Sequence, residues 1–149
     1  MSGALTPSSA VTGSPDARAR APAARKRTVL LAEDDDAVRG FVQAVLEQAG
    51  FAVVAAPDGR AAGDLFAAAA ARFDLVLTDV IMPHAVGPEL AARVRRLRPG
   101  VPVLFMSAFP GGAGMVPALL PADAPLLEKP FSVAALLLAV ADALSEAPT

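Results

Sequence analysis

Short apolar runs recur along the chain, and between them the apolar residues thin to a step of three or four. Thr28–Ala32 reads TVLLA, an uninterrupted apolar run of the kind found in strands buried on both faces. After it, Val38, Phe41, Val42, Val45, Leu46 and Ala49 recur at helical spacing, and Gly50 supplies the stop. The pattern then repeats. Phe51–Ala55 reads as a second strand, and Asp58 to about Ala71 as an Ala-rich second helix with Leu65 and Phe66 facing inward. Asp74–Thr78 is a third strand, followed by a helix over Pro88–Leu97 with the proline in its first turn. Val101–Met106 is a fourth strand and Pro125–Leu127 a short fifth. Ser132 caps a last helix whose apolar stripe is Leu136, Leu137, Val140 and Leu144.

Strands alternating with helices at this spacing imply right-handed βαβ units and a parallel sheet covered on both faces. Five strands fit the flavodoxin-like doubly wound order 2-1-3-4-5, an α/β fold with five helices. The helix expected between strands four and five is the weak element. Its segment, AFPGGAGMVPALLPADAP, carries Pro110, Gly111, Gly112, Gly114, Pro117 and Pro121. Glycine costs a helix about 1 kcal/mol and interior proline about 3 kcal/mol, so this fourth helix is expected to be short or irregular.

Composition narrows the class. The chain has 149 residues, enough for one domain with a sizeable core, and 54% of them are apolar. It has no cysteine, which excludes disulfides and thiolate metal sites and fits a reducing, cytoplasmic setting. No apolar stretch reaches membrane-spanning length, and the start lacks a secretory h-region. A net charge of −2 and the absence of Trp and Tyr give no support for a nucleic-acid surface. Residues 1–26 are rich in Ala, Pro, Ser and Gly and read as a disordered extension. That extension ends near Arg18, Arg20, Arg25, Lys26 and Arg27, a basic stretch read as a solvated leader. The domain is expected over 27–146.

In a doubly wound sheet the ligand site lies beyond the carboxyl ends of the strands. Strand one ends in Glu33 and Asp34, within a run of four acids that includes Asp35 and Asp36. Asp36 reads as the N-cap of the helix that follows, and Asp35 as solvated charge. Strand three ends in Asp79, and strand four in Ser107. Strand five is followed by Glu128, Lys129 and Pro130. Strands one and three are neighbours in the expected order, so three carboxylates converge. Unit charges about 4 Å apart repel by several kcal/mol at an intermediate dielectric, so the cluster calls for a hard divalent cation. Oxygen ligands point to Mg²⁺. A carboxylate beside a metal and a lysine is also a reasonable phosphoryl acceptor.

The motifs LLAEDDDAVR, LVLTDVIMP with its following glycine, VLFMSA and LLEKPF occur in order on these strand ends. Together they resemble the receiver domain of two-component response regulators, including single-domain regulators and the receivers of hybrid histidine kinases. The resemblance implies that Asp79 accepts phosphate from a histidine kinase or histidine phosphotransfer protein. It implies that Asp34 ligates Mg²⁺ directly, Glu33 through water, with Asp79 and the backbone carbonyl of Ile81 completing the protein ligands. It also implies that Ser107 and Lys129 hold the phosphoryl group, and that Lys129 precedes a cis Pro130. The position usually aromatic, three before the lysine, is Leu126, with Phe109 as a possible substitute in the switch region.

His84, the only histidine, reads as a solvent-facing loop residue, and Gly87 as a turn residue. The expected function is a phosphoacceptor receiver that signals by binding an unknown downstream protein, without a DNA-binding domain or membrane segment. It is expected not to be an enzyme, apart from phosphotransfer and dephosphorylation on itself. The alternative is a receiver-fold adaptor that does not depend on phosphorylation. A phosphatase acting on outside substrates is disfavoured, because no second acid lies two residues past Asp79.

Overall fold

The computed structural model describes residues 26–82, 86–107 and 124–145. The expected extension through residue 25, His84, Phe109 and the segment expected to hold the fourth helix lie outside the described residues. The described elements run β1 (Thr28–Ala32), α1 (Asp36–Gln48), β2 (Ala52–Ala56), α2 (Gly59–Ala68) and a 3₁₀ turn (Ala70–Arg72). They continue with β3 (Leu75–Asp79), α3 (Gly87–Leu97), β4 (Val103–Ser107), β5 (Leu126–Glu128) and the C-terminal helix α4 (Val133–Ser145).

The sheet has the order β2-β1-β3-β4-β5, and every pairing is parallel. This is the doubly wound order expected from the alternation. Strand β1 lies inside the sheet, with Leu30 opposite Val54 on one side and Val76 on the other. Because side chains alternate along a strand, its apolar run serves two cores at once. Leu30 and Ala32 face a cluster containing Phe66, Phe73, Leu90 and Val94, from α2, α3 and the turn after α2. Val29 and Leu31 face Val42 and Leu46 of α1 and Leu136 and Val140 of α4. Burial on both faces is why β1, β3 and β4 contain almost no exposed position.

Local chemistry fixes the helix ends. The Asp58 carboxylate accepts from the Ala61 amide at 2.8 Å, and the Ser132 hydroxyl from Ala135 at 3.0 Å, each capping its helix. Gly50 adopts φ 102°, the left-handed conformation that closes α1 at little steric cost. At the start of α1 the cap is Asp35, not Asp36: its carboxylate accepts from Ala37 at 2.9 Å and Val38 at 3.0 Å. Asp35 is the last extended residue, with φ −80° and ψ 119°, whereas Asp36 is already helical and pairs with Arg39 one turn on.

Besides Ala49, exposed at the C-cap of α1, two expected core positions face outward. Leu65 and Phe41 are 39% and 44% exposed. In α2 the buried side is the Gly59, Ala62, Gly63 and Phe66 row, and Leu65 lies a third of a turn off it. Phe41 lies beside the Val42 and Leu46 stripe, and its ring rests 6.4 Å from that of Phe131.

Candidate functional site

The site is built where β1 and β3 stop and the chain turns into the following loops. Glu33 extends β1 by one more bond, its amide donating to the Ala56 carbonyl at 3.1 Å. Its side chain is completely buried. One carboxylate oxygen accepts from the Asp35 amide at 3.0 Å, and the other from Lys129 Nζ at 2.6 Å. Asp34 beside it is exposed. Asp79 is the last residue of β3, and its Oδ2 accepts from the same Lys129 Nζ at 3.0 Å.

Lys129 is carried to this point by its main chain. Its amide donates to the Ser107 carbonyl at 2.7 Å, and the Lys129–Pro130 bond is cis. Ser107 is buried at the end of β4, in register with Glu128 of β5. Asp79 pairs with Met106, so Ser107 stands one residue beyond Asp79's neighbour on the adjoining strand.

The electrostatics follow from two buried carboxylates sharing one ammonium. Burial pushes the Glu33 carboxyl above the ordinary glutamate value. The hydrogen bonds from Lys129 and the Asp35 amide pull against that shift, while the charge of Asp79 reinforces it. For Lys129, burial works to lower the ammonium, but its bonds to Glu33 and Asp79 prevail and hold it above the ordinary lysine value. One carboxylate oxygen from each of Glu33, Asp34 and Asp79 can be chosen so that all three lie within 4.8 Å of one another. Hard oxygens at that spacing, one of them on an exposed residue open to water, fit a cation that keeps part of its hydration.

Other expected positions fall as follows. Ile81 lies just past β3 with its side chain half exposed. Leu126 opens β5 opposite Phe105, half-buried against the core cluster of α2 and α3. Three features escaped the sequence reading. Arg39 reaches back from α1 to the Glu33 carbonyl at 2.9 Å. Gly87 donates to the Val80 carbonyl at 2.7 Å, and a Cβ there would run into the Asp79 carbonyl oxygen. Val38, Phe41, Lys129, Pro130 and Phe131 line an apolar cleft of about 390 Å³ that borders the acidic pocket. The spacing of Asp36 to Arg39 was a usable signal for a charge pair along one helix face; the other two depend on contacts between distant elements.

Comparison with known proteins agrees with this geometry. The family model described as the response regulator receiver domain matches residues 29–141. The response regulator receiver protein CpdR of Brucella abortus is 36% identical over 105 residues, covering 70% of this chain and 86% of that protein. The sensor kinase CckA of the same organism is 38% identical over 122 residues, which are 80% of this chain but 13% of the kinase. Among solved structures, a response regulator receiver protein from Sinorhizobium medicae superposes with a TM-score of 0.71 at 31% identity, covering 81% of this chain and 96% of that one.

Proposed function

This chain belongs to the response regulator receiver domain family, and from that premise we propose that Asp79 is phosphorylated in a Mg²⁺-dependent reaction by a histidine kinase or histidine phosphotransfer protein. As a receiver its chemistry acts on itself rather than on a stream of outside substrates. The observation that carries the proposal is Lys129, whose ammonium bridges buried Glu33 and Asp79 at 2.6 and 3.0 Å. It joins the acidic end of β1 to the acceptor on β3.

In the proposed transfer, a carboxylate oxygen of Asp79 attacks the phosphorus of a phosphohistidine. The P–N bond breaks, its electron pair returns to the imidazole, and an aspartyl phosphate forms. Glu33, Asp34, Asp79 and the Ile81 carbonyl would hold Mg²⁺. When bound, the ion supplies positive charge to the phosphoryl oxygens. Lys129 would supply a second positive charge, exchanging its bond to the Asp79 carboxylate for one to a phosphoryl oxygen. The Ser107 hydroxyl donates to another. Burial of Glu33, Asp79 and Ser107 strengthens each of these interactions by excluding water. The apolar cleft beside Lys129 would be covered by a donor protein bringing its histidine to Asp79. Signalling would follow from a downstream protein that binds one phosphorylation state, in the cytoplasm. Among the described residues no helix is long and apolar enough to cross a membrane.

The test is incubation with acetyl phosphate and Mg²⁺, followed by intact-mass measurement. The proposal expects a gain of one phosphoryl group that disappears in Asp79→Ala and in excess EDTA. An unchanged mass would favour the phosphorylation-independent adaptor instead.

A further inference from the structure

The run of four acids at residues 33–36 is answered on its own helix. Arg39 lies one turn into α1, and its guanidinium turns back toward the strand end. Nη1 donates to the Glu33 carbonyl at 2.9 Å, and Nη2 to Asp36 Oδ1 at 2.5 Å. The two halves of this fork are unequal in consequence. Asp36 is 91% exposed, and a surface pair of that kind contributes little by itself. Glu33, by contrast, is fully buried, and its carbonyl lies between the last sheet bond of β1 and the first turn of α1.

That carbonyl shares one rigid plane with the amide of Asp34. Holding it therefore fixes two rotations together, the one that aims the Glu33 side chain and the one that aims Asp34. The turn is pinned further on by the Glu33 carboxylate accepting from the Asp35 amide at 3.0 Å, and by Asp35 capping α1. We propose that Arg39 is a positioning residue for the acidic turn: by gripping the Glu33 carbonyl it orients the Glu33 and Asp34 carboxylates toward Asp79 for a divalent cation. This inference rests on the reading of the pocket as a Mg²⁺ site. The planar fork is the property required, since a lysine ammonium does not present the same paired donors in one plane.

The sign of the effect separates positioning from charge. A guanidinium near a cation site repels the cation, so if charge alone mattered, removing it would tighten Mg²⁺ binding. Positioning predicts the opposite.

The experiment compares wild type with Arg39→Met, Arg39→Lys and a control, Arg93→Met. Arg93 pairs with Asp64 between α3 and α2, and its loss removes one positive charge without touching the turn. Mg²⁺ is titrated while the amide resonances of residues 33–36 are followed by NMR, and exchange of the Asp35 amide is measured without metal. Both Arg39 variants should bind Mg²⁺ about tenfold more weakly, the scale of lost outer-shell support, and Arg93→Met should bind no more weakly than wild type. The Asp35 amide should exchange faster in both Arg39 variants. Unchanged or tighter Mg²⁺ binding by Arg39→Met overturns the proposal, as does wild-type behaviour of Arg39→Lys or unaltered Asp35 exchange. If wild type itself gives no Mg²⁺-dependent shift, the metal reading falls, and the Asp35 exchange rates still decide the role of Arg39.

Discussion

Lys129 is the residue on which the metal-free pocket balances. It is 14% exposed and stands between Glu33, with no exposure, and Asp79, at 12%. Lys129→Ala would leave two buried carboxylates facing each other without a counter-charge. In Mg²⁺-free urea denaturation this variant should lose about 3–5 kcal/mol, the usual cost of breaking a buried pair. A loss below 1 kcal/mol would mean that the bridge is replaceable by water. The same pocket gives a pH dependence. Because Glu33 is raised above its ordinary value in the folded protein, its contribution to stability is fully present below the ordinary glutamate range. That contribution is lost as the pH rises through the elevated value. Lys129 is also raised, so its contribution holds below about pH 10 and is lost above, as the pH passes its folded value. Subtracting the stability profile of Glu33→Gln from that of wild type, both without metal, should expose the acid-side slope; parallel profiles would contradict it. At this scale the sequence was legible where chemistry repeats across strand ends. Glu33, Asp34, Asp79 and Lys129 were each nominated by position, and the fold brings them together. It was not legible which acid caps α1. Asp35 and Asp36 are equivalent as residue types, and only the backbone angle at Asp35 decides between them. Asp35→Ala should therefore destabilise the protein by about 1 kcal/mol, and Asp36→Ala by less, in the same denaturation measurement.

Between elements, the close approach of α3 to the end of β3 matters most. The Gly87 amide bonds to the Val80 carbonyl, and the Asp79 carbonyl occupies the place where a side chain at 87 would begin. The Thr78 hydroxyl also donates to that carbonyl at 2.9 Å, so the backbone of Asp79 is approached from two directions. Gly87→Ala must push α3 away from the strand end. About 1–3 kcal/mol of stability should be lost, with the backbone resonances of Asp79 and Val80 displaced more than those of β2. Resonances of Asp79 that stay in place would show that α3 is not what holds the end of β3. The sequence marked Gly87 as a turn residue but carried no trace of this contact, which joins it to a carbonyl eight residues earlier through the packing of α3. Strand limits moved for a related reason. Asp74 was read as the start of strand three; just ahead of β3, its amide donates to the Thr28 carbonyl at 2.8 Å and its carboxylate accepts from the Thr28 amide at 2.8 Å, so backbone and side chain together fasten it to β1. Phe41 and Leu65 matched the helical stripe by spacing, but each helix buries a face narrower than the row of apolar residues it carries.

For the whole molecule, the alternation of apolar runs and helices sufficed to order the sheet, because a parallel strand buried on both faces has few other solutions. The sheet order then brings the ends of β1 and β3 side by side, and every functional expectation depends on that adjacency. A cation that binds the folded pocket and not the unfolded chain must stabilise the fold. At a Mg²⁺ concentration one hundred times its Kd the gain should be about 2.7 kcal/mol, visible as a rise in thermal midpoint that Asp34→Asn diminishes. An unshifted midpoint would count against a site built from these three acids. The most direct test of the central claim, that Glu33, Asp34, Asp79, Ser107 and Lys129 form one phosphoryl-accepting pocket, is a crystal structure with Mg²⁺ and beryllofluoride. Beryllofluoride is expected on Asp79, the metal among the three carboxylates, and the Lys129 ammonium and Ser107 hydroxyl on the fluorides. Asp79 left unmodified, with Lys129 still spanning Glu33 and Asp79 and no metal between them, would contradict it.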